Sequence, residues 1–318
     1  MTDRRTPPPT DGRTFLIDTD TASDDAVALL MALRHPDVSV EAITVVAGNV
    51  PLGLAVQNAL YTRDLAGSDV PVYAGAAMPR SGSQQLAHHV HGNDGMGDIG
   101  LDLRGREATP GDAVEVLVEA IRARPGELTL VTLGPLTNIA RAFEVAPDIT
   151  SKLQSLVMMG GTSDAIGNVS PVAEFNIWAD VDSAALVFSS GAPITMVGWD
   201  VSRKYAVFAP DDAAELRTLG PLGEFSVDIQ RTLVEFALQH TRLAGFDLPD
   251  PIAMAVALDP AVATDVRRVY VAVERRGELT RGQTVVDHDS RFGDANADVV
   301  FGASRERFLT LLHDALRS

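Results

Sequence analysis

The sequence predicts an α/β fold with an open, mostly parallel central sheet flanked by helices. Three observations carry the prediction. Short apolar runs rich in β-formers alternate with segments of helical periodicity along most of the 318 residues, the pattern left by parallel strands joined through crossover helices. The strand segments are almost uninterruptedly apolar, which suits a sheet covered on both faces. No repeat of fixed period and no linker interrupts the alternation, so residues 13–318 are expected to form one domain behind a flexible, proline-rich tail at residues 1–12.

In chain order, Phe15-Leu16-Ile17 reads as the first strand, and Ala26, Leu29, Leu30 and Leu33 recur at helical spacing after it. Val40 to Val46 is the second strand, Leu52 to Leu65 the next helix and Val70 to Tyr73 a third strand. Helix Asp112 to Ala123 leads into strand Leu128 to Leu133. Helix Leu136 to Phe143 leads into strand Leu156 to Met159, and helix Ser183 to Phe188 into strand Ile194 to Val197. Arg203 to Leu248 reads mainly as helix, with one continuous helix over Phe225 to Arg242. Helix Ile252 to Ala257, strands Val269 to Glu274 and Gln283 to Val286, and helix Arg305 to Arg317 close the chain. Two stretches, Ala76 to Pro110 and Thr162 to Ala179, break the rhythm. Long irregular segments inside a compact domain are usually lids or binding loops.

Composition excludes several function classes. There is no cysteine, which removes disulfide scaffolds, thiolate metal sites and cysteine nucleophiles and suits a reducing compartment. The formal net charge is −17. A surface this negative opposes sequence-independent binding of nucleic acid or anionic lipid, while it accommodates a cation. No apolar run is long enough to span a bilayer, and Met1 to Gly12 lacks the apolar stretch of a secretory signal. The expectation is a cytoplasmic protein with a small-molecule partner, and with neither nucleic acid nor membrane as partner.

The chemistry concentrates where the first strand meets the first helix. Phe15 to Leu30 reads FLIDTDTASDDAVALL, which puts Asp18, Asp20, Asp24 and Asp25 at the carboxyl end of a strand. Open parallel sheets bind ligands on that side. One or two such residues serve as a helix cap or dipole partner. Four of them so close together repel one another unless a cation compensates, and a hard divalent ion with oxygen ligands is the simplest compensation. A solvated acidic helix start is the plainer alternative. Magnesium and calcium both suit, and an irregular oxygen set favours calcium.

Other strand ends carry amides and acids. They are Gly48-Asn49, Gly134-Pro135-Leu136-Thr137-Asn138, Met159-Gly160-Gly161, Gly167-Asn168 followed by Glu174-Phe175-Asn176, and Asp250-Pro251 at a helix start. Amides and carboxylates without a basic cluster suit a polyhydroxylated sugar. A phosphate would need arginine, lysine or a glycine-rich nest.

Taken in order, DTD-x3-DDA, AGN, GPLTNIA, MGG, GN-x5-EFN and DP-x-A resemble the calcium-dependent, inosine–uridine preferring nucleoside hydrolases, from about Phe15 to the C-terminus. The resemblance implies a Rossmann-like core, assembly as a homodimer or homotetramer, one calcium ion (Ca2+) per subunit, and hydrolysis of a ribonucleoside to base and ribose. Carried over residue by residue, it implies metal ligation by the carboxylates of Asp20, Asp25 and Asp250 and by the main-chain carbonyl of Leu133. It implies a calcium-bound water deprotonated by Asp20. Asp24, Asn49, Asn168, Glu174, Asn176 and Asp250 would hold the ribose, with Met159 against the sugar and Asp18 supporting the strand end. Phe175 would line the sugar pocket, with core packing as its alternative. The chemistry is that of glycosyl hydrolysis in general. Positive charge grows on the ribosyl ring, carboxylates and amide oxygens stabilise it, and a metal acidifies water whose proton a nearby base takes.

One position departs from the family pattern. Many members carry a histidine before the late aspartate, whereas here Pro249 stands in Leu248-Pro249-Asp250-Pro251 and cannot transfer a proton. The other family histidine is matched by His91 in His91-Gly92-Asn93-Asp94-Gly95-Met96-Gly97. Activation of the leaving base therefore falls to His91, to other pocket residues or to the base itself. Gln239, His240 and Arg242 are candidates for the base side, with a polar helix end as the alternative. His88 and His89 read as lid or surface residues, Trp178 and Trp199 as packing with stacking on a base as the alternative, and Asn138 as local structure at a helix start. Two rivals stand beside the hydrolase: a calcium- and ribose-binding protein without turnover, and a haloacid-dehalogenase-like phosphatase. The phosphatase shares Asp18-Thr19-Asp20 but needs a lysine, and none occurs between Asp20 and Lys152.

Overall fold

The computed structural model describes residues 12–241, 243–289 and 291–317. Apart from Gly12, the expected tail lies outside them, as does Arg242. Strands β1 (Arg13–Thr19), β2 (Val38–Val45), β3 (Val72–Ala74), β4 (Leu128–Thr132), β5 (Ser155–Met159) and β6 (Ile194–Val197) run parallel in the order β3-β2-β1-β4-β5-β6. Strands β7 (Val207–Phe208) and β8 (Phe246–Asp247) form a separate ribbon. Strands β9 (Ala263–Val273), β10 (Thr284–Asp287) and β11 (Ala297–Ala303) extend the main sheet. There β11 is parallel to β6 and antiparallel to β9, and β10 lies at the edge.

Helices α1 (Ser23–Leu33), α2 (Leu52–Leu65), α3 (His88–His91), α4 (Ala113–Ala123), α5 (Thr137–Val145), α6 (Phe175–Ala179) and α7 (Val181–Ser189) accompany the first six strands. Helices α8 (Trp199–Tyr205), α9 (Pro210–Arg217), α10 (Pro221–Asp228), α11 (Arg231–Phe236), α12 (Pro249–Leu258) and α13 (Arg305–Leu316) follow. Strand β1 shows how the layers arise. Phe15 and Ile17 join a core with α1, α2, α12 and α13, while Leu16 joins a second core with α4, α5 and α7, because successive strand residues face opposite sides. Helix α1 is apolar all round from Ala26 to Ala32 and buried along that length. Truncating a residue such as Leu29 to alanine there would cost about 2–5 kcal/mol.

The strand order reverses at β1, whose neighbours are β2 and β4. A crevice opens outside the carboxyl ends at such a point, and the acids after β1 sit in it. Among the described residues no helix is long and apolar enough to cross a membrane.

Two expectations about the elements need correction. The run Phe225 to Arg242 is not one helix. It breaks at Ile229 and Gln230 between α10 and α11, then ends in a π turn over Ala237–Thr241. The break occurs where the Gln230 side chain turns inward and donates to the Ser23 carbonyl at 2.9 Å. Strand β11 was not anticipated. Its apolar residues are interleaved with Asp298 and Gly302, yet it runs between β6 and β9 in the sheet. The irregular stretch from Ala76 to Pro110 contains α3 and is braced from within. Asp98 accepts from the Asn93 and Asp94 N–H groups, and Asp94 accepts from those of Met96 and Asp98.

Candidate active site

Two helix starts and the ends of several strands meet in the crevice. Asp24 and Asp25 occupy the first turn of α1, and Asp250 the first turn of α12 behind Pro249. A proline fits that helix start because its missing N–H would have no helical partner there. Both helices turn the positive ends of their dipoles toward the acids. One carboxylate oxygen from each of Asp24, Asp25 and Asp250 lies within 4.8 Å of the others. Asp25 is gripped twice: Thr19 Oγ1 donates to its Oδ1 at 2.5 Å and the Ala22 N–H to its Oδ2 at 2.8 Å.

Asp20 follows β1 and is fully buried. The Asn49 N–H donates to its Oδ2 at 2.6 Å, while Oδ1 has no partner among the described residues. Two glycines make room for this carboxylate. A methyl group on Gly134 would stand 2.7 Å from Oδ1, and one on Gly48 would overlap Oδ2. The tight trio thus contains Asp24, expected on the ribose, and not Asp20, expected on the metal. Asp20 is nonetheless near enough for its charge to act on Asp250.

Beneath this layer, Thr44 Oγ1 and Asn138 Nδ2 donate to Asp18 Oδ2 at 2.6 and 2.8 Å. Asn138 is not the local turn residue it resembled. Its Nδ2 also reaches the Val45 carbonyl, and its Oδ1 accepts from the Ala76 N–H at 2.9 Å. The side chain therefore joins β1, β2 and the segment after β3.

Above the acids opens a cavity of about 550 Å³. Asp24, Asn49, His91, Leu133, Met159, Asn168, Glu174, Phe175, Asn176 and Asp250 all line it, and of the expected site residues Asp20 and Asp25 stand behind its wall. Glu174 caps α6. Its Oε1 accepts from the Asn176 N–H at 2.9 Å and its Oε2 from the Gly161 N–H at 2.8 Å, which fastens the glycine turn after β5 to the helix. Asn176 Nδ2 donates to the Leu133 carbonyl at 2.8 Å and contacts the carbonyl and sulfur of Met159, each at 3.3 Å. Its Oδ1 is left for a ligand. Asn168 is used the other way round: its Oδ1 accepts from the Phe175 N–H at 2.9 Å, which leaves Nδ2. The cavity is thereby offered one amide acceptor and one amide donor.

The far end of the cavity is aromatic. His89 meets Phe236 edge-on with ring centroids 5.5 Å apart, and Phe236 meets His240 edge-on at 4.7 Å. These rings come from α3, α11 and the π turn, a geometry frequent at functional sites. Of the base-side candidates, His240 lines the cavity and Gln239 is exposed outside its wall. Phe236 and Leu233 were not anticipated, since the expected continuous helix hid which face turns inward. Trp199 is buried and also lines the cavity. Its Nε1 donates to Asp247 Oδ2 at 2.9 Å, and the Ser202 hydroxyl donates to the same oxygen. Asp247 is a further wall residue that no motif signalled. His91 sits where the two ends meet, its Nδ1 2.9 Å from Ser23 Oγ and 3.8 Å from Asp24 Oδ1.

Burial dominates the electrostatics. It pushes Asp18, Asp24 and Glu174 up to about 7, and Asp25 up to about 6 with the charge of Asp24 adding to it. Asp20 and Asp250 lie well above the ordinary carboxylate range, through burial and then the charge of Asp25. Burial pushes His91 down to about 4, so its ring is neutral near pH 7. Among the described residues the one basic side chain within 4 Å of a carboxylate oxygen of Asp20, Asp24, Asp25 or Asp250 is that neutral histidine. Packed carboxylates of this kind ionise together only if positive charge joins them. An all-oxygen donor set with unpartnered buried oxygens on Asp20 and Asp24 fits a hard divalent cation.

Fold and site together define an α/β glycosidase, with carboxylates beneath an amide-walled, sugar-sized cavity. Residues 15–310 match the family described as inosine-uridine preferring nucleoside hydrolase, and the chain belongs to that family. It is an enzyme that hydrolyses the N-glycosidic bond of ribonucleosides. Similar proteins include RihA of Shewanella sp. (strain ANA-3), a pyrimidine-specific ribonucleoside hydrolase. It is 37% identical over 312 residues, covering 96% of each chain. RihB of Escherichia coli (strain SE11), also described as pyrimidine-specific, is 34% identical over 307 residues, covering 96% of this chain and 97% of that one. Among solved structures, the plant nucleoside hydrolase PpNRh1 superposes with a TM-score of 0.88 at 30% identity, over 96% of this chain and 99% of that one. A purine-preferring ribonucleoside hydrolase from Gardnerella vaginalis gives 0.88 at 32% identity, over 96% and 98%. The phosphatase reading is set aside by these relationships.

Proposed function

We propose that this nucleoside hydrolase is a calcium-dependent N-ribohydrolase of ribonucleoside catabolism and base salvage. Residues 13–318 act as one domain in a cytoplasmic homodimer or homotetramer. The observation that carries the reading is the approach of Asp24, Asp25 and Asp250 oxygens to within 4.8 Å beneath the amide-walled cavity. Asp20, Asp25, Asp250 and the Leu133 carbonyl would hold one calcium ion per subunit. Bound there, the ion supplies positive charge that acidifies water and anchors vicinal hydroxyls.

The chain's own groups do the rest. Asp24, Asn49, Asn168, Glu174, Asn176 and Asp250 hold the ribose, and Met159 and Phe175 pack against its ring. A hydroxyl both gives and accepts a hydrogen bond, which matches the free donor of Asn168 and the free acceptor of Asn176. Asp20 takes the proton of the attacking water at Oδ1, its oxygen without a partner. As the bond from C1′ to the base lengthens, the surrounding carboxylates and the Asn176 Oδ1 stabilise the charge on the ribosyl ring. His91 donates a hydrogen bond to the departing base.

The test is a panel of ribonucleosides and their 2′-deoxy analogues, with release of free sugar measured with and without chelator. Ribose should form from ribonucleosides, 2-deoxyribose about tenfold or more slowly from the deoxy analogues, and neither sugar after chelation until calcium is restored. Tight nucleoside binding with no sugar released would favour the silent binder and overturn the proposal.

A further inference from the structure

Ser23 opens α1 and is fully buried, and its Oγ lies 2.9 Å from the Nδ1 of His91 across 68 residues of chain. The hydroxyl has no other hydrogen-bond partner among the described residues. Both sides of this contact are fastened. Gln230, at the break between α10 and α11, donates to the Ser23 carbonyl at 2.9 Å. His91 accepts at its carbonyl from the Gly97 N–H at 2.8 Å. Asn58 ties the two segments together by donating to the carbonyls of Thr21 and Asp94 at 3.0 and 2.9 Å.

A hydrogen count then decides the direction of the bond. If His91 donated from Nδ1, the buried serine hydrogen would lack an acceptor, which carries the full penalty of an unmade bond. If the serine donates, its hydrogen is used, Nδ1 is an acceptor, and the ring hydrogen sits on Nε2, which makes no hydrogen bond among the described residues and belongs to a ring that lines the cavity. Asp24 Oδ1, 3.8 Å from the same nitrogen, would reward the opposite arrangement. That distance is beyond a hydrogen bond, whereas the serine is within one.

We propose that Ser23 is a positioning residue, which donates to His91 Nδ1 and so presents the Nε2–H of His91 to the substrate base. The inference rests on the reading of His91 as the donor on the base side, and it says what makes it one. A neutral imidazole held in this tautomer is a fixed donor whose bond strengthens as negative charge grows on the departing base.

The test uses the full chain in the presence of calcium, with 15N-labelled histidine. Two-bond proton–nitrogen correlations near neutral pH report the protonation of each ring nitrogen. The signals of His91, one of seven histidines, are identified by their loss in His91→Ala. The wild type should show an unprotonated Nδ1 and a protonated Nε2, and Ser23→Ala should show a mixture of tautomers. In the same variant kcat on ribonucleosides should fall about tenfold, and that on p-nitrophenyl riboside about twofold or less. Ser23→Thr, which keeps the hydroxyl, should restore both readouts. A wild-type ring protonated at Nδ1 or at both nitrogens overturns the proposal, even if the alanine variant does not fold. An unchanged spectrum in folded Ser23→Ala overturns it too. If His91→Ala instead lowers both substrates equally, the base-side role of His91 fails, while the spectrum still decides what Ser23 does.

Discussion

The two ends of the cavity are built on opposite plans. The acid floor comes from strand ends and first helical turns. Asp20 and Asp25 are fully buried there, and their outer oxygens are gripped by backbone N–H groups. The roof comes from a four-residue helix, α11 and a π turn. Its His89 and His240 are exposed, and ring contacts hold it together, each worth about 0.5–1.5 kcal/mol. On the proposed reading, bond cleavage would belong to the part of the molecule with least freedom to change, and recognition of the base to the part with most. That division accommodates relatives with different base preferences, one described as pyrimidine-specific and another as purine-preferring.

The division can be broken most decisively at the floor. Asp20→Asn should lower kcat by about 10³-fold, with the circular dichroism spectrum retained and the ion-free protein melting no lower, because burial already disfavours the charged form of this carboxyl. Collapse of the fold would make Asp20 a structural residue. Where floor and roof meet, His91→Ala should cost about 10²-fold in kcat/KM on ribonucleosides and far less on p-nitrophenyl riboside. Equal losses would move His91 from the base to the floor.

The floor should also announce itself by pH. Asp18, Asp24 and Glu174 titrate at about 7 in the folded chain, and Asp25 at about 6, against about 4 when unfolded. The folded state then holds more protons between these limits, so stability is full below about pH 4 and is lost as pH rises through about 7. His91, at about 4 folded and about 6.5 unfolded, acts in the opposite sense, but it is one group against these four and against Asp20 and Asp250, which are raised as well. The ion-free protein should melt about 5 °C or more lower at about pH 7.5 than at about pH 5, and calcium should remove the difference. A flat profile would show that these acids ionise without penalty. The smallest effect belongs to the roof. Phe236→Ala should raise KM about three- to tenfold, leave kcat within about twofold and leave inhibition by free ribose unchanged. A collapse of kcat there would erase the distinction between the two ends.

The floor was legible in the sequence for the same reason that it is rigid. Its residues cluster in short segments at strand-to-helix turns, where Asp18 to Asp25 and Glu174 to Asn176 are nearly contiguous, and the alternation of apolar segments sets which turns share a sheet edge. The roof was not legible. Phe236 lines the cavity beyond the break at Ile229 and Gln230, and there the Gln230 side chain bonds the Ser23 carbonyl, far away in sequence. Asn138 likewise looked like a turn residue because its partners, Asp18 and the Ala76 N–H, are long-range. Strand β11 was missed because its apolar residues are interrupted, and its place in the sheet is filled by pairing with β6 and β9.

Gly48 and Gly134 press so close to Asp20 that neither admits even a methyl group. For anyone retrofitting this scaffold to cleave unfamiliar glycosides, those two positions are forbidden ground, and variation aimed there is wasted. The aromatic canopy is freer, since His89 and His240 are exposed and Phe236 is half-buried, and on the proposed reading a library confined to these three would explore new leaving groups without touching the acid floor.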